Sequence, residues 1–480
     1  MLNNIFEKNS KINVGEGILV PVQKPWPKPK GPVKNLRPIT LLNIIRKILS
    51  RMTTKRIEPK INQYLSESQS AYRRGRSTTD IVWAYRWILA KAQEYKIKIY
   101  VIGIDMSSAF DTINRKQLLD SLDNILEEDE VRVIKELLSD TTLEVKVEGA
   151  SITAFNSNIG SPQGDSASGP LFEIYFENAL RVVRSVIQSF RQKNKVKRVS
   201  ALPEEMIYAD DCDFLTTSFM EKQYINENTD KILKEYNLLV NTDKTENTIL
   251  ERYPGKKGSE KEQWRKVRKL GSLLGDKEDI KNRKQIASAN MKKLKDLWNR
   301  KKVSMSRKLK LYNTLVKSIL SYNSGTWGLT TKDEDSLDSF HRQQLRQVMN
   351  IKYPSTISSK KVYKVTKTKP ISVEITRARW KLFGHILRMN KETPARKAMK
   401  YYFEKESMNK FRGRKRSTIV TTINRDIKTT KKKNPRFDLP VMKTELDLHN
   451  IRVKAKNRRL WRKRVELVTT TAYSERLKKL

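Results

Sequence analysis

Residues 17–23, GILVPVQ, are apolar at nearly every position and read as a strand, while KPWPKPKGPVKN after them is a Pro/Lys-rich loop that neither helix nor continuous ladder tolerates. LRPITLL (36–42) resumes extended structure. From there Leu41, Ile44, Ile45, Ile48, Leu49 and Met52 recur at the spacing of one buried helical stripe, so a hairpin should precede a helix. IKIYVIGI (97–104) is an almost continuous apolar run ending at Asp105, as expected of a central buried strand that delivers a side chain at its tip. NRKQLLDSL (114–122) follows as helix, and a second helix begins near Ser168 and carries PLFEIYFENALRVV. EEMIYADDCDFLTT (204–217) is a candidate hairpin with Asp210 and Asp211 in its turn. Strands alternating with helices make the first 280 residues α+β.

Beyond residue 281 the pattern turns helical, with Tyr312, Leu315, Val316, Ile319 and Leu320 on one face. RGRKRS (412–417) and KKKNPR (431–436) read as basic and poorly ordered, serving as linkers, phosphate grips or nuclear import signals. There is no internal repeat.

Charge changes this picture. The formal net charge is +46, and residues 281–480 hold 54 Lys and Arg against 15 Asp and Glu, leaving the first 280 residues nearly balanced. A chemical core joined to an extension that grips a polyanion follows, nucleic acid being the first candidate. Tryptophans 298, 327, 380 and 461 argue against a solvated tail. One cysteine and three histidines exclude disulfides within the chain and ordinary zinc modules. No run approaches the ~18–20 apolar residues of a membrane span, and GILVPV is too short and badly placed for a signal peptide. The expectation is a soluble, intracellular protein.

Against this basic background, the crowded acids of YADD stand out. Carboxylates held together repel one another unless a cation neutralises them. About three of them suffice for a pair of hard divalent ions. Asp105 after one strand and Asp210–Asp211 in a hairpin supply that number, although an Asp pair in a turn is commonly only turn chemistry.

The order SQSAYRRGRSTTDIV (68–82), VIGIDMSSAFDTINR (101–115), GSPQGDSASGPLFEIYFENAL (160–180), YADD (208–211), LLVNTDKTENTIL (238–250) and KLGSLLG (269–275) resembles the reverse transcriptase domain of non-long-terminal-repeat (LINE-type) retrotransposons, from about residue 17 to 275. The resemblance implies a right-hand polymerase fold with an antiparallel palm sheet and a helical thumb. Its segments would be fingers over 1–100, palm over 101–275, thumb over 276–350 and a basic, mostly helical nucleic-acid-binding extension over 351–480. It implies Asp105, Asp210 and Asp211 as catalytic, metal-binding acids for two Mg²⁺ ions, with Mn²⁺ as substitute. Phe110 would exclude a ribose 2′-hydroxyl. Gln163 and Gly164 would approach the incoming nucleotide, Arg37 and more loosely Lys30 and Lys34 its triphosphate. Lys244 would lie near the leaving pyrophosphate, and Arg73, Arg74 and Arg76 would grip the template backbone. Tyr72 would stack on a base or pack in the core, and Cys212 and Asp213 are read as structural.

The implied partners are an RNA template, a DNA primer or target, and dNTPs, with no membrane. The chain shows neither the family's endonuclease nor a ribonuclease H segment, so nicking would come from elsewhere or from a longer protein. The nucleus is the expected compartment for target-site DNA synthesis, the cytoplasm the alternative. Ser168-Gly169 stands where the family often has Ser-Pro, and Gly325 where it often has an acid, which leaves the helix start and the subfamily open. An RNA-dependent RNA polymerase, for which Asp111 speaks, a group II intron maturase and an inactive nucleic-acid-binding relic remain competing readings.

Overall fold

The computed structural model describes residues 15–24, 35–139, 141–147, 150–197, 199, 201–241, 245–255, 258–404 and 409–479. In chain order the elements used below are β1 (Gly17–Gln23), β2 (Leu36–Leu42), α1 (Ile44–Tyr64), α2 (Thr78–Glu94), β3 (Ile99–Ile104), β4 (Met106–Ser107), α3 (Arg115–Leu122), α4 (Glu128–Leu138), β5 (Thr141–Val147), β6 (Ala150–Ser157), α5 (Ser168–Lys193), β7 (Glu205–Tyr208), β8 (Asp211–Thr216), α6 (Phe219–Glu235), β9 (Leu239–Val240) and β10 (Glu246–Leu250). Helices α7 (Asp276–Lys293), α8 (Thr331–Val348), α9 (Ile371–Arg388), α10 (Pro394–Phe403), α11 (Ile419–Lys433) and α12 (Arg458–Lys478) dominate the remainder. The architecture is α+β, and the expected strands at 17–23 and 36–42 form within those bounds.

The chain divides into two compact units. One comprises residues 1–76, 101–198 and 205–247; the other comprises 77–100, 199–204 and 248–480. This division is not linear: α2 clusters with the C-terminal residues rather than with the N-terminal hairpin.

In the first unit one sheet has the order β2-β1-β5-β6. Strands β1 and β2 pair antiparallel from Gly17↔Leu42 to Gln23↔Leu36, and β1 lies parallel to β5. A second sheet there sets β3, β8 and β7 side by side, with β7 and β8 closing an antiparallel hairpin. Its core gathers Ile102, Ile104, Phe172, Phe176, Ile207 and Phe214, mixing the alternating positions of strands with the inner stripe of α5.

Helix α1 corrects the stripe expected from the sequence. Only Leu49, at 1%, is buried; Ile44 is 72% exposed, and Leu41, Ile45, Ile48 and Met52 are exposed too. The inward face instead carries Arg46, Leu49, Ser50, Thr53, Ile57 and Ile61. A polar inner face is tolerable because its groups are paired: Arg46 and Ser50 both bond Asp165, and the Thr53 hydroxyl donates to the Leu49 carbonyl at 2.9 Å.

In the second unit α2 is almost wholly buried. Its Trp83 stacks on Phe383 with centroids 6.0 Å apart, and Trp87 meets the edge of Tyr402. Trp298, Trp327, Trp380 and Trp461 are all buried, so the basic region carries a packed core. The two basic runs are also ordered where described: Arg416 pairs with Glu262 at 2.6 Å, and residues 431–433 close α11. On the 312–320 face, Tyr312, Val316 and Leu320 are buried, while Leu315 is exposed. Among the described residues no helix is long and apolar enough to cross a membrane.

Candidate active site

Strand β3 is buried along nearly its whole length and ends at Ile104, so Asp105 leaves the sheet at its tip, half-buried. Its carbonyl accepts from the Asn241 amide at 2.8 Å, and β4, directly after it, pairs with β9. The neighbouring strand in the sheet is β8, which Asp211 opens. The turn falls one residue earlier than expected: Tyr208↔Asp211 is the last pair of the hairpin, leaving Ala209 and Asp210 as the loop. Ala209 adopts φ +56°, the left-handed geometry that two-residue hairpin loops favour. Asp210 is half-buried in the turn and Asp211 is exposed on the strand.

The three acids thus lie just past the tip of β3, in the β7–β8 turn and at the first residue of β8, strands of one sheet. Their all-oxygen, hard donor chemistry matches Mg²⁺ or Mn²⁺. Among the described residues no three His, Cys, Asp or Glu side chains stand as a completed metal-ligating group. Cys212 and Asp213 are buried behind the turn, burial pushing the Cys212 thiol well above its ordinary range.

The SPQGD loop reaches the same unit's other motifs by hydrogen bonds. Gln163 donates its amide to both Asp111 oxygens at 3.2 and 3.3 Å, and its carbonyl accepts from the Thr40 amide of β2 at 2.7 Å. Burial raises the Asp111 carboxyl above its ordinary value, against the lowering effects of Gln163 and Lys24. Gly164 has φ +124°, and a Cβ there would lie 2.4 Å from the Thr40 carbonyl oxygen. Glycine is therefore required by close approach as well as by backbone geometry. Phe110 packs on Phe172 with centroids 4.7 Å apart and remains half-buried, while its carbonyl accepts from Ser161 of the loop at 2.9 Å.

Helix α5 starts at Ser168 as expected, with Gly169 at its second position and Pro170 at its third. Gly169 permits the Tyr72 ring to lie against it, since a Cβ would stand 2.6 Å from the ring. Burial, then the charges of Asp210 and Glu173, raises the Tyr72 hydroxyl above its ordinary value. One turn along, Glu173 is buried and its carboxyl is pushed up to about 9 by burial.

The basic candidates separate. Arg37 is exposed on β2 and Arg74 is exposed in its loop. Arg73 is directed inward, donating to Asn62, Ser66 and Gln69, and Arg76 pairs with Glu67. Those two guanidiniums brace their own loop. Lys30, Lys34 and Lys244 lie outside the described residues.

Sequence reasoning missed Arg46, Asp165, Arg115 and Gln69. Arg46 and Asp165 form an ion pair at 3.2 Å with 0% and 4% of their side chains exposed, joining α1 to the SPQGD loop. Arg115 donates to the carbonyls of Gly160, Leu138 and Ser157 at 2.5–2.8 Å. A lone arginine within the apolar NIIRKIL was the available signal for the first; the others carried none.

A family model described as reverse transcriptase (RNA-dependent DNA polymerase) matches residues 26–285. A probable RNA-directed DNA polymerase from transposon BS of Drosophila melanogaster is 27% identical over 157 residues, 32% of this chain and 17% of that protein. The retrovirus-related Pol polyprotein from type-1 retrotransposable element R2 of Popillia japonica is 25% identical over 185 residues, 38% of this chain and 26% of that protein. These matched regions therefore span about a quarter or less of the relatives' lengths. Among solved structures, telomerase from Candida tropicalis in complex with a fragment of telomeric RNA gives a TM-score of 0.40 at 15% identity, covering 93% of this chain and 65% of that one. Because the family model takes in more than half of the 480 residues, including all three carboxylates, the chain belongs to the reverse transcriptase (RNA-dependent DNA polymerase) family.

Proposed function

We propose that the chain is an RNA-directed DNA polymerase of the non-long-terminal-repeat retrotransposon type, extending a DNA primer with dNTPs on an RNA template. The observation that carries this reading is the placement of Asp105 just past the tip of β3, Asp210 in the β7–β8 turn and Asp211 at the start of β8, inside a matched reverse transcriptase region. Segments 1–100, 101–275, 276–350 and 351–480 take the parts of fingers, palm, thumb and nucleic-acid-binding extension.

The three carboxylates are the donor set for two Mg²⁺ ions, or Mn²⁺ in their place. Bound there, such ions supply the charge that lowers the pKa of a primer 3′-hydroxyl and neutralises the triphosphate. Arg37, with Lys30 in support, takes the triphosphate, for which a guanidinium has suitable geometry. Lys244 attends the leaving pyrophosphate. Gln163 and Gly164 offer an amide and a backbone close to the nucleotide, and Phe110 bars the 2′-hydroxyl that distinguishes an RNA precursor. Arg74 holds template phosphate; Arg73 and Arg76 shape the loop that presents it. A nuclear site of action accords with synthesis at a DNA target.

Primer extension on an RNA template with dNTPs and Mg²⁺ tests the reading, comparing the wild type with Asp210→Asn. Extension by the wild type and its loss in the variant are expected. A folded wild type that extends nothing overturns the enzyme reading, and equal use of rNTPs moves it to an RNA polymerase.

A further inference from the structure

We infer that Gln69 is a positioning residue for the Asp210 turn, holding both peptide groups of Ala209 from a neighbouring loop; the inference rests on the reading of Asp210 as a catalytic carboxylate. Gln69 is 2% exposed. Its side-chain oxygen accepts from the amides of Ser70 at 2.9 Å, Ala71 at 3.0 Å and Ala209 at 3.2 Å. Its side-chain nitrogen donates to the Ala209 carbonyl at 3.5 Å. One carboxamide thus bonds the peptide entering Ala209 and the peptide leaving it toward Asp210.

That grip matters because the loop is only Ala209–Asp210, and a two-residue loop has no slack. Ala209 carries a side chain at φ +56°, a region that costs L residues about 1–2 kcal/mol and persists where the surroundings enforce it. Rotating either peptide of Ala209 re-aims the Asp210 carboxylate.

The support for Gln69 is itself built. Residues 68–70 run along β7: Gln69 bridges Ile207 in parallel, the Ser70 amide donates to the Ile207 carbonyl at 2.9 Å, and the Ile207 amide donates to the Ser68 carbonyl at 3.1 Å. Since β7 ends its sheet, this segment also covers an otherwise open edge. Arg73 locks the segment from behind, donating to the carbonyls of Ser66 at 2.7 Å and Gln69 at 3.2 Å and to the Asn62 side chain at 2.9 Å. The arginine motif and the catalytic turn are thereby connected through one glutamine.

Gln69→Leu removes acceptor and donor together, and Gln69→Asn keeps the amide but withdraws it by one methylene. In either variant that folds, judged by circular dichroism and cooperative melting, kcat for single-dNTP incorporation falls about tenfold to a hundredfold, while KM for primer–template stays within about twofold. Hydrogen exchange in peptides covering residues 206–211 accelerates as the Ala209 amide loses its acceptor. A folded variant with kcat within about twofold of wild type, or with unchanged exchange over 206–211, overturns the inference. Should Gln69→Leu fail to fold, Gln69→Asn decides by the same criteria. A wild type without activity, or an Asp210→Asn variant as active as wild type, would instead defeat the functional reading; exchange at 206–211 would then still report whether Gln69 holds the turn.

Discussion

Replacing Gly164 by alanine places one methyl group against the backbone of β2. The added Cβ would stand 2.4 Å from the Thr40 carbonyl oxygen, and φ at this position is +124°. Such a contact requires the loop to retreat by at least about 0.6 Å to reach even the shortest separations found for real Cβ atoms. Backbone strain in this region costs about 1–3 kcal/mol, and a retreating loop stretches the bond between the Thr40 amide and the Gln163 carbonyl, a further loss of about 1 kcal/mol. The sum, about 2–4 kcal/mol, is large beside the stability of an ordinary domain. Retreat also displaces Gln163 and its hold on Asp111 by a sizeable fraction of an ångström, which, under the proposed role of Gln163 beside the nucleotide, lowers catalytic efficiency about tenfold to a hundredfold. Urea unfolding and steady-state single-nucleotide incorporation on an RNA template measure the two effects. A kcat/KM within about threefold of wild type, together with an unchanged urea midpoint, would refute the claim that this loop is set by its approach to β2.

Two further outcomes follow from burial. Leu49→Ala should destabilise by about 2–5 kcal/mol, whereas Ile48→Ala, on the exposed side of the same helix, should cost less than about 1 kcal/mol; equal losses in thermal melts would restore the stripe expected from the sequence. Glu173, with its carboxyl at about 9 against an ordinary 4.5, holds a proton that the unfolded chain releases between those values, so folding is weakened as pH rises from 4.5 toward 9, by up to about 1.4 kcal/mol per pH unit. Glu173→Gln removes that dependence, and its melting-temperature advantage over wild type should grow from pH 5 to pH 9; the same difference at both ends would show that Glu173 is not held protonated.

The legible parts of this protein are those written in short stretches. Strand β1 and the β7–β8 hairpin are declared by unbroken apolar runs and their punctuation, and Asp105 at a strand tip follows from the run that precedes it. The acids of YADD were conspicuous because like charges gather only where something compensates them. Subtler distances inside the hairpin were not legible: Asp211 belongs to β8 rather than the turn, since a strand pair extends as far as its last hydrogen bonds permit.

What the tertiary structure alone decided is which partner each side chain meets. Six apolar residues announced a buried stripe over 41–52, yet α1 turns Arg46 and Ser50 inward because Asp165, more than a hundred residues away, pairs with them there. Arg73 and Arg76 looked like phosphate ligands by charge and turned out to satisfy carbonyls and Glu67. Residues 78–94, placed by the sequence in the 1–100 segment, form α2 and pack their tryptophans with residues beyond 380. Sequence determines local periodicity and the chemistry available at each position. Burial and hydrogen-bond partnership are properties of long-range packing, and they decided that a glutamine outside every recognised acid motif grips the turn on which Asp210 sits.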